Sequence, residues 1–256
     1  MCSLHASDYT LLPETPGMYL KESVARFIQQ EVARPSKQWI AHIIEGNQEK
    51  DEVILRTDKF VLLPDTERAN RYYRAHNTAP SPSNAMTANS RAYMLHVGYH
   101  HRDPQKRVLN WLSIVHDRGL RTLRDLRGHH VPMLKRMLKA CMNAIERHTG
   151  IPRDQVMAYV HYPPSVYQLH VHFSFPYGQY CHRDTYRVHS LSSVINNLEM
   201  DPDYYAKATL HLALYKQSLH YAALTSPSSS SPVKDMEQEE DMGGQIREGD
   251  KDCCLE

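Results

Sequence analysis

The chain has 256 residues, 41% of them hydrophobic and 23% charged, with a formal net charge of +1. This supports one large domain or two small ones and excludes both a wholly disordered chain and a disulfide-stapled mini-protein. Seventeen His and 16 Tyr stand against only 4 Phe, so histidine is the part of the composition that needs a chemical account.

No stretch approaches the roughly 18 consecutive apolar residues of a membrane helix, and Met1-Cys2-Ser3-Leu4-His5 has no charged region followed by an apolar one. The expectation is a protein that is neither secreted nor membrane-spanning. The five cysteines, Cys2, Cys141, Cys181, Cys253 and Cys254, form no regular framework, which suits reduced thiols in the cytosol or nucleus. Cys253-Cys254-Leu255-Glu256 has the form of a prenylation box, but the final Glu and the acidic residues before it argue against that use. From Lys234 onward nine acidic residues face three basic ones, leaving a mildly basic body. Such a body suits a phosphate-bearing ligand, and equally an ordinary solvated surface.

In chain order, Tyr19–Glu31 and Gln38–Ile44 carry helical spacing, so residues 1–35 form an N-terminal segment with a helix. Val53–Leu55 and Phe60–Leu63 read as a hairpin turned at Thr57-Asp58. Residues 68–106 read as an insertion: a Pro-, Ser- and Asn-rich loop flanked by Arg and Tyr, a pairing that suits a solvated loop or an RNA contact. Val108–Val115 is a strand. Met133, Leu134, Met137, Leu138, Cys141, Met142 and Ile145 repeat as a helix, with Pro132 in its first turn and Gly150 after its end. Val156–Tyr162 and Tyr167–Phe175 alternate as strands around Pro163-Pro164-Ser165. Leu191–Leu198 is helical and Ala208–Tyr215 the last strand. The class is α+β, an antiparallel sheet with packed helices, over 36–225. The Ser/Pro-rich and acidic 226–256 reads as a disordered tail.

Strand alternation in Gln168-Leu169-His170-Val171-His172-Phe173-Ser174 turns Leu169, Val171 and Phe173 to the buried face and Gln168, His170, His172 and Ser174 to the other. His161, on the preceding strand, is expected near the same turn. Three converging imidazoles can ligate a metal, as in zinc hydrolases, or carry covalent phosphoryl or nucleotidyl transfer through one neutral ring. They can also be simple polar residues on a half-exposed strand. Spacing alone leaves all three open.

Leu169-His170-Val171-His172-Phe173, preceded by His161-Tyr162-Pro163-Pro164-Ser165, resembles the signature of the scavenger mRNA decapping enzymes of the histidine-triad superfamily. The likeness extends through Asp117–Leu126, Val194–Glu199 with Asp201-Pro202, Gln38-Trp39-Ile40 and Phe60–Asp65, over roughly residues 15–215. It implies hydrolysis of 7-methylguanosine cap dinucleotides and short capped RNA fragments, releasing 7-methylguanosine monophosphate through a nucleotidyl-histidine. It further implies a homodimer, no metal or other cofactor, and residence in cytoplasm and nucleus.

By the same resemblance His170 is the nucleophile, with His172 and His161 on the phosphates and leaving group. Ser165, Gln168 and Arg187 are assigned to substrate binding, with Arg187 at the head of the helix leading to Val194. Trp39 stacks on the cationic methylguanine, while Glu49 and Asp65 accept hydrogen bonds from its edge. Three positions depart from the family pattern: Gln168 replaces the first His of the triad, Glu67 a Lys and Val166 a Tyr. The amino-terminal dimerisation domain of the family is expected to be missing, since only some 35 residues precede Trp39. A cap-binding relative with little turnover, or a general dinucleoside polyphosphate hydrolase of the same superfamily, are the alternatives.

Overall fold

A computed structural model describes residues 8–46, 53–64, 110–174 and 186–227. Glu49, Asp65, Glu67, the proposed insertion and the acidic tail from 228 onward lie outside these residues. The sheet has six antiparallel strands in the order β2 (Leu55–Arg56), β3 (Phe60–Pro64), β4 (Asn110–Val115), β6 (His170–Ser174), β5 (Met157–His161) and β7 (Val188–Ser190). β1 (Tyr9–Glu14) and β8 (Leu210–Tyr215) form a separate two-stranded antiparallel ribbon, with Tyr9 opposite Tyr215 and Glu14 opposite Leu210.

Seven α-helices are described: α1 (Pro16–Tyr19), α2 (Glu22–Ala33), α3 (Trp39–Glu45), α4 (Val131–Thr149), α5 (Leu191–Met200), α6 (Tyr204–Lys207) and α7 (Leu219–Thr225). α4 begins with Pro132 in its first turn and ends at Gly150, whose φ of 70° is the left-handed conformation that favours glycine. Its stripe of Leu134, Met137, Cys141, Ala144 and Ile145 packs on one face of the sheet, against Trp111, Val171 and Phe173. α5 adds Leu191, Val194, Ile195 and Leu198 to the same core. Val171 and Phe173 have no exposed surface, so each contributes about 1.5–3 kcal/mol through burial.

The opposite face carries a smaller apolar cluster. Ile40 and Ile43 of α3 cover Val61, Leu63, Leu112 and Ile114, with Trp39 and Val166 packed at its margin. α3 ends at Gly46 (φ 76°), and Arg56 donates to the carbonyls of Ile43 (2.7 Å) and Ile44 (3.2 Å), satisfying the end of the helix. In register, Leu112 lies opposite His172 and Ile114 opposite His170. The histidines therefore continue the face on which α3 docks. This face of β6 is buried, which disfavours the alternative of simple polar residues on a half-exposed strand: β6 sits between β4 and β5, and His170, His172 and Ser174 are all 8% exposed or less.

The start of α2 and the end of α7 are tied to each other. Lys21 donates to the carbonyls of Leu224 and Ser226, both at 2.9 Å, and Ser23 to that of Ala223 at 2.7 Å. Among the described residues no helix is long and apolar enough to cross a membrane.

Candidate active site

His170 and His172 are neighbours on one face of β6, their ring centroids 5.0 Å apart and nearly perpendicular. His161 ends β5, and its ring lies 4.5 Å from that of His172. The structure thus brings together the three histidines singled out in the sequence. Tyr159, directly opposite His172 in the register, stacks on it at 5.2 Å and 16° and also meets His161 edge-on. Tyr159 lies two residues before His161 on β5 and so shares its face, but nothing in the sequence marked it as a partner.

His170 Nδ1 lies 2.7 Å from the carbonyl oxygen of Gln168. A carbonyl only accepts, so Nδ1 carries the proton and donates it. This tautomer leaves the lone pair on Nε2, the arrangement an imidazole nucleophile needs.

Gln168 is buried, and its side-chain amide nitrogen donates to the carbonyls of Val115 (2.8 Å) and Asp117 (2.9 Å), with Leu120 more distant at 3.4 Å. The backbone reinforces the link: Val115 N–H donates to Leu169 O and Leu169 N–H to Leu120 O. The amide nitrogen of Gln168 is therefore spent on the 115–120 loop, and the same residue's own carbonyl orients His170.

The turn after His161 is fixed from the other side. Tyr162, with a cis bond to Pro163, donates its hydroxyl to Glu14 Oε2 at 2.5 Å. Arg124 donates to the same oxygen from Nε (3.1 Å) and Nη2 (2.7 Å), and its remaining N–H groups reach the carbonyls of Glu14, Tyr205 and Ala208. Burial, together with the neighbouring Glu14 carboxylate, pushes the Tyr162 phenol well above its usual range, so it remains a donor. The Tyr162 N–H donates to Arg187 O at 2.8 Å. No local signal in the sequence pointed to Glu14 or Arg124.

Ser165 is exposed on this turn. Arg187 is half-buried just before β7, rather than at the head of α5 as expected, because Val188–Ser190 pairs with β5 before the helix begins. Trp39 is half-buried in the first turn of α3, on the margin of the cluster that adjoins the histidines. Val166 packs into that cluster too, an apolar role open to Val. Among the described residues no three His, Cys, Asp or Glu side chains are arranged to hold a metal ion.

Converging histidines on a strand, one of them oriented by the carbonyl two residues before it, form an arrangement similar to that of histidine-triad proteins. Part of the chain is also similar in sequence to scavenger mRNA decapping enzymes. Residues 88–184 match the family described as "Scavenger mRNA decapping enzyme C-term binding". The chain is 29% identical over 211 residues to the m7GpppX diphosphatases of Bos taurus and of Homo sapiens, covering 81% of this chain and 52% of each relative. It is 41% identical over 99 residues to that of Caenorhabditis elegans, covering 39% of this chain and 32% of the relative. The chain spans about half the length of the curated mammalian relatives it matches.

Proposed function

We propose that the protein hydrolyses 7-methylguanosine cap dinucleotides and short capped RNA fragments. The observation that carries this reading is the 2.7 Å contact from His170 Nδ1 to Gln168 O, made where His161 and His172 converge. His170 Nε2 attacks the phosphate next to the methylguanosine; the P–N bond forms as the bridging P–O bond breaks, and the remaining nucleoside diphosphate departs. Water then cleaves the nucleotidyl-histidine and releases 7-methylguanosine monophosphate. His172 and His161 donate to the phosphate and leaving oxygens, Ser165 and Arg187 bind phosphate, and Trp39 stacks on the methylated base with Glu49 and Asp65 at its edge. The protein acts as a homodimer in cytoplasm and nucleus, testable by light scattering and fractionation.

The deciding assay offers methylated and unmethylated cap dinucleotides to the purified protein. Release of 7-methylguanosine monophosphate from the methylated one alone, lost in His170→Asn, is the expected result. Equal turnover of both would replace this reading with a general dinucleoside polyphosphate hydrolase. Binding without product would make the protein a cap-binding relative.

A further inference from the structure

Tyr159 stands at the point where β5 changes partners. It lies opposite His172 of β6 on one side and Ser190 of β7 on the other. Before it, Met157 and Ala158 pair with β6; after it, Val160 and His161 pair with β7. Among the described residues the β5–β6 register thus ends at Tyr159, and the ladder does not set the distance from His161 to His172. The two imidazole centroids are nevertheless 4.5 Å apart.

The ring of Tyr159 spans that gap. It is 3% exposed, lies flat on His172 with centroids 5.2 Å apart at 16°, and meets His161 at 5.2 Å and 65°. Both separations fall in the ~4.5–7 Å range of attractive aromatic pairs, the first stacked and the second edge-on. The N–H bonds and lone pairs of an imidazole lie in the plane of its ring, so a flat neighbour that fixes the plane also fixes the direction in which the ring can donate. A buried ring on a strand paired on both sides is a rigid platform for that purpose.

We propose that Tyr159 is a positioning residue: its ring sets the plane of His172 and the separation of His172 from His161, so that both imidazoles address the same phosphate group. The role in the reaction rests on the proposed function, which assigns His161 and His172 to the phosphates and leaving oxygen; the arrangement of the three rings does not depend on it. Tyr159 takes no part in making or breaking bonds. It acts through its two neighbours, and misplacing such groups by about 1 Å costs roughly 10²-fold in rate.

The test compares the full chain with Tyr159→Leu, which removes the aromatic ring, and Tyr159→Phe, which removes only the hydroxyl. Each is offered the methylated cap dinucleotide and diadenosine triphosphate. The nuclear Overhauser contact between the His161 and His172 ring protons is measured without substrate. Tyr159→Leu should lose about 10- to 100-fold in kcat with KM changed about twofold or less, and Tyr159→Phe should recover kcat to within about threefold of the parent. The contact between the two imidazoles should persist in Tyr159→Phe and be lost in Tyr159→Leu. Parental kcat on the cap dinucleotide in Tyr159→Leu, or an intact contact there, overturns the positioning role while the cap reading stands. A Tyr159→Phe protein that has lost turnover or the contact overturns it as well, whether or not Tyr159→Leu folds. The expected pattern on diadenosine triphosphate, with no turnover of the cap dinucleotide by the parent, keeps the positioning role and overturns the cap reading. No turnover of either substrate by the parent overturns both.

Discussion

The carboxylate of Glu14 and the guanidinium of Arg124, 110 residues apart in the chain, meet at 2.7 Å with almost no solvent contact. Neither is near the triad in sequence, yet both hold Tyr162, the residue after His161. Removing one member of a buried pair leaves the other charged and unpaired, which costs about 3–5 kcal/mol. Arg124→Met should lower stability by that amount in urea unfolding. Tyr162→Phe, which keeps the ring and removes only the hydroxyl, should lose about 1–3 kcal/mol. An Arg124→Met protein as stable as the parent would show that the network supports nothing.

Gln168 invites a substitution of its own. Gln168→Leu fills a similar volume but leaves the Val115 and Asp117 carbonyls without their donor, at a cost of about 1–3 kcal/mol. Because the Gln168 backbone carbonyl orients His170, turnover should fall with it. Restoring a histidine here, Gln168→His, should not raise the rate, since that side chain would then serve the 115–120 loop. A clear gain in kcat would contradict this.

Stability should depend on pH through His220. Its folded pKa of about 4 lies below the ordinary 6.5, so between those values the unfolded chain binds more protons than the folded one. The contribution is therefore complete above about pH 6.5, declines as the solution is acidified, and is lost by about pH 4, with a ceiling of about 3 kcal/mol. His189 is lowered in the same direction, again by burial, and adds to the trend. His220→Phe should flatten the profile of unfolding free energy between pH 6.5 and 4; an unchanged slope would place the titration elsewhere.

Gly128 permits a close approach. A Cβ there would lie 2.8 Å from Pro202 Cβ and 3.1 Å from its backbone Cα, and Gly128 N–H donates to Pro202 O at 2.8 Å. Gly128→Ala must push the segment before α6 away from α4, at about 1–3 kcal/mol. Thermal unfolding should show a clear drop in Tm.

Trp39→Ala should weaken binding of the methylated cap analogue at least about tenfold, in keeping with the loss of a cation–π stack. Fluorescence titration checks this, with circular dichroism to show that the fold is kept, and unchanged affinity would overturn the assignment of Trp39 to the cap.

Much of this was legible from local pattern. The long helix with its Pro132 and Gly150 ends, the hairpin at Thr57, the alternation of β5 and β6 and the convergence of His161, His170 and His172 all follow from periodicities of two or 3.6. What escaped depends on distant partners. β1 has no alternation of its own that announces β8, and Glu14 reads as a surface residue until Arg124 is placed beside it. The burial of the triad face stayed open because a strand's pattern does not reveal which helix will dock on it. Here α3, from more than a hundred residues earlier in the chain, covers the adjoining strands. Gln168 read as a departure from a motif, and only its three carbonyl neighbours show what it holds.

The β1–β8 ribbon has a consequence for the order of assembly. Glu14 pairs with Leu210 across about two hundred residues of chain, and contacts of such span carry a large closure entropy and form late. Until they form, Arg124 has no carboxylate and Tyr162 no acceptor. On the ribosome, β1 must wait for β8, made about two hundred residues later. The sheet and its helices can condense while the turn beside His161 is still unsupported, so competence arrives as the final event of folding rather than with the core.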